Sequence, residues 1–250
     1  HYPLRRQRQM CIRDSVSIDL RQLGIPPKEV ALVSAIGRDM FGNFIRDTLE
    51  AHQIVTRLQV VENIGTTKNI IMVVKDEDRR FHLDLGASWH LDPRMVEAFL
   101  KETRPDIFYV ATGIVRKLDE RLPQVLKTAK EMGCLTFVDI VRPYMKGWDF
   151  VIPSFRSTDI FHCNDYEATE ITGKNQLIES LGFIIKAGAR AVFVTTGQGG
   201  ATAMTSEGGL VRQPALRVTA VDPTGAGDAF CAGIVRELLR RRQEPLASPE

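Results

Sequence analysis

From residue 29 onward the chain alternates short apolar, β-rich runs with amphipathic stretches. "EVALVSA" (29–35) predicts a buried strand and "GNFIRDTLEAH" (42–52) a helix. "TTKNIIMVV" (66–74) and "RRFHLDL" (79–85) flank the charged turn "KDED", which predicts a hairpin rather than a βαβ unit. Beyond residue 91 the rhythm becomes regular. "DIFYVAT" (106–112), "LTFVDI" (135–140), "STDIFHC" (157–163) and "AVFVTT" (191–196) read as strands, with helical stretches at 92–103, 119–132 and 176–188. Strands separated by helix-length connections predict a mostly parallel sheet covered on both faces. The hairpin region, about 53–88, reads as a small β excursion from that sheet. There is no internal repeat, low-complexity tract or linker rich in Pro, Gly and Ser, so one domain with a small β lid is expected. Ligands of open α/β sheets sit beyond the carboxyl ends of the strands, which gives weight to motifs placed there.

The composition of the 250 residues, 44% hydrophobic and 26% charged, is that of a soluble globular protein. Lysine and arginine (33) nearly balance aspartate and glutamate (31), so nothing points to a nucleic-acid groove or an anionic membrane surface. Cys11, Cys134, Cys163 and Cys231 form no CxxC pair and read as reduced thiols of a cytoplasmic protein. The five histidines, at 1, 52, 82, 90 and 162, lack HxxxH or HExxH spacing and read as ordinary surface or core residues. No apolar run reaches the ~18 residues that span a bilayer. The basic start lacks the apolar stretch of a secretory signal. Residues 1–15 are left unassigned, as a fragment boundary or a sequencing artefact, and the domain is taken as 16–250.

"VDPTGAGDAFCAG" (221–233) carries the most chemistry. Without Cβ atoms at 225 and 227 the backbone can take unusual dihedrals and approach a ligand closely. Phe230, Ile234 and Leu238 recur at i, i+4 and i+8, predicting a helix with that face inward. The helix ends in Arg240, Arg241 and Arg242, which suits a C-terminus. Its start then falls near Ala226 to Asp228, where unpaired N–H groups and the helix dipole suit an anion such as phosphate. A glycine turn followed by a dipole-complementing Asp is the plainer alternative.

The stretch Asp222-Pro-Thr-Gly-Ala-Gly-Asp228 resembles the signature of the PfkB (ribokinase-like) family of sugar and nucleoside kinases. The resemblance implies a three-layer αβα fold. It implies that Asp228 takes the proton from the substrate hydroxyl while the amides of Gly225, Ala226 and Gly227 stabilise the transferred γ-phosphoryl group. Phosphoryl transfer is mostly positioning and electrostatic stabilisation, which fits such parts. "CNDYEATEITG" (163–173) is similar to the family's N-x-x-E region. Asn164 and Glu167 would then serve Mg²⁺ through water, and Asn164 the nucleotide, although Asn followed three residues later by Glu is equally a helix capping box. "VTTGQGGA" (194–201) is similar in place to the family's nucleotide loop, so Thr195, Gly197 and Gly200 would contact ATP; alone it is equally a β-turn. "SAIGRDMFGNFI" (34–45) resembles an earlier G-x-D-x-x-G stretch, which puts Gly37 near the substrate and leaves Asp39 as a helix cap. Thr67 falls in the family's β lid, a surface through which a homodimer is implied. "VDIVRP" (138–143) resembles a substrate-side D-x-N-x-R pattern but is one residue short and lacks the Asn, and Arg142 is its substrate candidate.

The family's first strand, with its acid and GGxxxN stretch, has no counterpart, and members continue beyond the Asp-bearing helix. The domain is therefore expected to be incomplete at both ends. A P-loop kinase would need GxxxxGK[ST] and a dinucleotide enzyme GxGxxG after the first strand; neither is found. The reading is an ATP- and Mg²⁺-dependent kinase phosphorylating a primary hydroxyl of a small sugar or sugar acid. The alternatives are a nucleoside kinase of the same family and a non-catalytic nucleotide- or sugar-binding module.

Overall fold

The computed structural model describes residues 12–72, 80–218 and 224–243. They fall into two compact units, one formed by the described residues up to 88 together with 224–243 and the other by those from 89 to 218.

The first unit opens with α1 (Ile12–Gln22), an element that the sequence pattern, read from residue 29, does not assign. β1 (Ala31–Gly37), α2 (Met40–Ala51) and β2 (Val55–Val61) then make one βαβ unit whose strands pair in parallel, Ala31 opposite Val55 through Gly37 opposite Val61. Val30, Leu32, Ile36, Ile45, Leu49 and Ile54 form its core, with Ile18 and Leu20 packed against them. The lid region thus divides: residues 55–61 pair with β1. Among the described residues, β3 (Lys68–Met72) and β4 (Arg80–Asp84) make the antiparallel hairpin, whose outer ends fall at 68 and 84 rather than at 66 and 85. The expected turn at 75–78 lies outside the described residues. Ile70, Met72 and Leu83 leave the hairpin with exposed apolar side chains.

Asp39 ties this unit together. Its carboxylate caps α2 by accepting from Gly42 N–H (2.8 Å). It also accepts from Thr66 N–H (2.8 Å) and Thr66 Oγ1 (2.6 Å), while Thr66 Oγ1 accepts from Gly37 N–H (2.9 Å). Burial pushes the Asp39 carboxyl up, but these donors together hold it below the usual carboxylate range. Asp39→Ala removes the cap and leaves buried Thr66 short of a partner. Urea denaturation should show a loss of about 2–3 kcal/mol; an unchanged midpoint would remove Asp39 from the stability of this loop.

The second unit holds α3 (Pro93–Thr103), β5 (Ile107–Thr112), α4 (Arg116–Glu120), α5 (Leu122–Glu131) and β6 (Leu135–Ile140). After a 3₁₀ stretch, Trp148–Ser157, come β7 (Ile160–Asn164), α6 (Asp165–Thr172), α7 (Leu177–Ala187), β8 (Ala191–Thr195), β9 (Ala201–Thr205) and β10 (Leu210–Gln213). The six strands lie in the order β10-β9-β8-β7-β6-β5; β5 to β8 are parallel, and β9 and β10 are added antiparallel. Thr136 through Ile140 are all buried, so β6 is covered on both faces, as an unbroken apolar strand requires. The helix predicted over 119–132 is broken at Arg121, and α5 carries Pro123 in its first turn. Proline lacks an N–H to continue the α4 ladder, but in the first turn of a new helix that missing donor costs nothing, so α5 starts there.

The last helix, α8 (Ala226–Gln243), belongs to the first unit, where it packs against α1, and Arg236 Nε donates to Leu23 C=O at 2.9 Å. Its fully buried positions are Cys231, Ala232 and Val235; Phe230, Ile234 and Leu238 are half-buried. The inward face is therefore rotated from the expected one, because the small Cys231 and Ala232 allow closer approach than the larger side chains beside them.

Candidate active site

In the second unit the candidate residues collect at the carboxyl ends of β7 and β8, where Asn164 stands opposite Thr195 in the parallel register. Asn164 caps α6. Its Oδ1 accepts from Glu167 N–H (2.8 Å), and Glu167 Oε2 accepts from Asn164 N–H (2.8 Å). The capping box is thus present, and it uses one oxygen of each side chain. Glu167 Oε1 makes no part of it. Burial pushes the Glu167 carboxyl up to about 7 against the pull of the Asn164 N–H, with Asp139 and Asp165 adding to the rise and His162 opposing it. Such a carboxylate is relieved by a cation.

The loop after β8 is a tight connection into β9. Thr196 N–H donates to Gly200 C=O (2.8 Å) and Gly200 N–H to Gly197 C=O (3.1 Å) across a 3₁₀ turn over Gly197–Gly199. Gly200 has φ of +92°, and a Cβ there would run into the backbone of Gln213 and Ala215, so only glycine fits. A cleft of about 380 Å³ opens between α6, α7 and this loop, lined among others by Asp165, Tyr166, Thr169, Asn175 and Thr196. Arg142, just past β6, is exposed.

Among the buried networks of this unit that lie beyond the motifs, two sit on β6 and α4. Asp139, on β6, accepts from Tyr109 Oη (2.8 Å) and from His162 Nδ1 (2.8 Å), while His162 Nε2 lies 3.3 Å from Thr195 Oγ1. Of the two ordinary settings the sequence left open, surface or core, His162 takes the core, and both ring nitrogens are engaged. Asp119 accepts from Thr112 Oγ1 (2.5 Å), Val115 N–H (3.0 Å) and Lys146 Nζ (2.5 Å). The signal for the first network in the sequence is a polar residue within an apolar run, Asp139 in "TFVDIV" and His162 in "IFHC", whereas Asp119 lies among charged neighbours and carries no such signal.

In the first unit Gly225, at φ +81°, supplies the turn into α8. The first intrahelical bond runs from Ala229 N–H to Gly225 C=O (2.9 Å), so the amides of Ala226 and Gly227 precede the helical ladder, as the spacing predicts. Asp228 stands half-buried in the first turn. Asp222 and Pro223 lie outside the described residues. Gly37 packs against the 64–66 loop, and Thr67 Oγ1 donates to Leu85 C=O (2.5 Å) and accepts from Ser88 N–H (3.3 Å).

The family model for pfkB family carbohydrate kinases matches residues 16–247. The chain belongs to that family. As a pfkB-family protein it is a phosphotransferase acting on an alcohol group, and its relatives act on sugars or nucleosides. It is 25% identical over 236 residues to an ATP-dependent 6-phosphofructokinase of Thermoanaerobacterium thermosaccharolyticum, spanning 90% of this chain and 71% of the relative. It is 31% identical over 221 residues to a cytidine kinase of Thermococcus kodakarensis, covering 86% of this chain and 75% of the relative. A crystal structure of a putative ribokinase II from E. coli, in complex with ATP and Mg²⁺, superposes with a TM-score of 0.78 at 20% identity, covering 95% of this chain and 77% of the other. That likeness shows the fold, a ribokinase-like three-layer αβα architecture with a mostly parallel sheet. Among the described residues, no helix of this pfkB-family protein is long and apolar enough to cross a membrane.

Proposed function

We propose that this pfkB-family kinase transfers the γ-phosphoryl group of ATP to a primary hydroxyl of a small sugar or sugar acid. The observation that carries the chemistry is Asp228 in the first turn of α8, directly after the left-handed turn at Gly225. The positive end of the helix keeps the carboxylate ionised at neutral pH, ready to take the substrate proton. The amides of Gly225, Ala226 and Gly227 face the charge that builds on the transferred group. Thr195, Gly197 and Gly200 would border the nucleotide.

The donor set of the second unit suits Mg²⁺. Asn164 and Glu167 offer oxygen, Glu167 Oε1 stands outside the capping box, and the raised proton affinity of Glu167 is what a cation would compensate. They would hold the ion through water, and the ion would supply charge neutralisation of the phosphates.

A sugar is favoured by the lid. Residues 53–88 contain Phe81 as their sole aromatic, whereas Thr66, Thr67, Lys68, Asn69 and His82 suit a hydroxyl-rich ligand. The likeness to a cytidine kinase supports the second reading, a nucleoside substrate. The test measures kcat/KM with MgATP for ribose, fructose, 2-keto-3-deoxygluconate, adenosine and cytidine. A sugar or sugar acid should lead. A nucleoside outpacing every sugar would overturn the substrate class, and no turnover with any acceptor would leave the binding-module reading.

A further inference from the structure

We propose that His162 is a positioning residue that sets the direction of the Thr195 hydroxyl, so that Thr195 offers the nucleotide a hydrogen-bond acceptor rather than a donor. The inference rests on the reading that Thr195 borders the nucleotide.

Three adjacent parallel strands carry the argument. Asp139 on β6 stands opposite His162 on β7, and Asn164, two residues on and hence on the same face as His162, stands opposite Thr195 on β8. His162 and Asp139 are 5% exposed each. A buried polar ring in the middle of a sheet is costly unless its nitrogens are paired. Here both are.

A carboxylate only accepts hydrogen bonds, so Asp139 fixes the partners' roles. Its Oδ2 takes the Tyr109 O–H and its Oδ1 takes the proton on His162 Nδ1. In the neutral imidazole, the proton held on Nδ1 leaves the lone pair on Nε2, and this tautomer is assigned by the network. Thr195 Oγ1, 3.3 Å away, must then donate to Nε2. Its one hydrogen is committed inward, and its lone pairs are left for the carboxyl end of β8. A ribose hydroxyl, an exocyclic amine or a metal-bound water can donate to them. A phosphate oxygen, itself an acceptor, cannot.

Two single substitutions separate the halves of the ring. In His162→Asn the amide nitrogen can replace Nδ1 and still donate to Asp139, but nothing reaches Thr195. In His162→Gln the carbonyl oxygen can replace Nε2 and accept from Thr195, while the Asp139 bond is lost. MgATP affinity is read by calorimetry without acceptor, beside KM for ATP and kcat where turnover is found. His162→Asn and Thr195→Val should each weaken MgATP binding roughly 5–10-fold, as expected for one hydrogen bond. His162→Gln should stay within about threefold of the parent, and kcat should change less than KM in all three. In His162→Asn, adding Thr195→Val should weaken binding no further, since the two act as one unit. Equal losses in the Asn and Gln variants, or additive losses in the double variant, would overturn the proposal. So would a parent that fails to bind MgATP. Because the parent imidazole can be read by ¹⁵N NMR, misfolding of a variant does not shelter the idea: a proton on Nε2 instead of Nδ1 overturns it. Failure of the kinase reading shows separately, as absence of turnover in a parent that still binds nucleotide.

Discussion

Replacing Asp228 with Asn is expected to lower turnover about 10²–10⁴-fold, the range typical of losing a general base, while MgATP binding stays within a few-fold of the parent. The substitution keeps size and shape and removes only the charge and the proton-accepting capacity. It should leave the helix start in place, because Gly225 makes the turn and the Ala229 to Gly225 bond closes the first ring of α8. The loss of a negative charge near a helix N-terminus costs about 0.3–1 kcal/mol, too little to unfold the protein. Turnover falling with an intact melting curve and intact nucleotide affinity identifies the base. Turnover within a few-fold of the parent would remove Asp228 from the mechanism and make it a plain dipole-complementing residue.

The second large effect concerns Glu167 and pH. In the ligand-free protein its carboxyl is pushed up to about 7 from an ordinary 4.5, chiefly by burial. The folded state therefore holds a proton that the unfolded state has already released between those values. Stability is full below about pH 4.5, falls as pH rises toward 7, and is reduced by up to about 3 kcal/mol above it. Glu167→Gln carries no charge, keeps an oxygen to accept from Asn164 N–H, and should flatten that decline. Its melting temperature should exceed the parent's at pH 8 and approach it at pH 5. Parallel melting curves of parent and variant from pH 5 to 8 would show that burial does not perturb this carboxyl. The same buried charge is what Mg²⁺ would stabilise, so adding Mg²⁺ at pH 8 should narrow the gap between the two proteins.

Much of this was legible in the chain because it is local. β6 occupies the predicted 135–140, and β5 and α7 lie within one residue of their predicted ends. A run of β-branched and aromatic residues bounded by helix-length segments needs no distant partner to declare itself. The capping box at Asn164 and Glu167 and the helix start at Ala226 are likewise set by residues three or four apart. Turn chemistry and caps are short-range physics.

What only the tertiary structure decided involves residues far apart in the chain. Residues 55–61 carry no strand signal distinguishable from the hairpin after them, and only pairing with β1 makes them part of a βαβ unit. The inward face of α8 follows from which side chains allow close approach, not from apolar spacing alone. His162 read as an ordinary surface or core histidine. Strand register places it against Asp139 and Thr195, which are 23 and 33 residues away in the sequence. Lys146, in the loop after β6, reaches Asp119 on α4 across 27 residues through loop packing rather than strand register. Local propensity specifies what each segment becomes, whereas hydrogen-bonded register and packing specify which buried polar groups must satisfy one another, and that is where the Asp139–His162–Thr195 network arises.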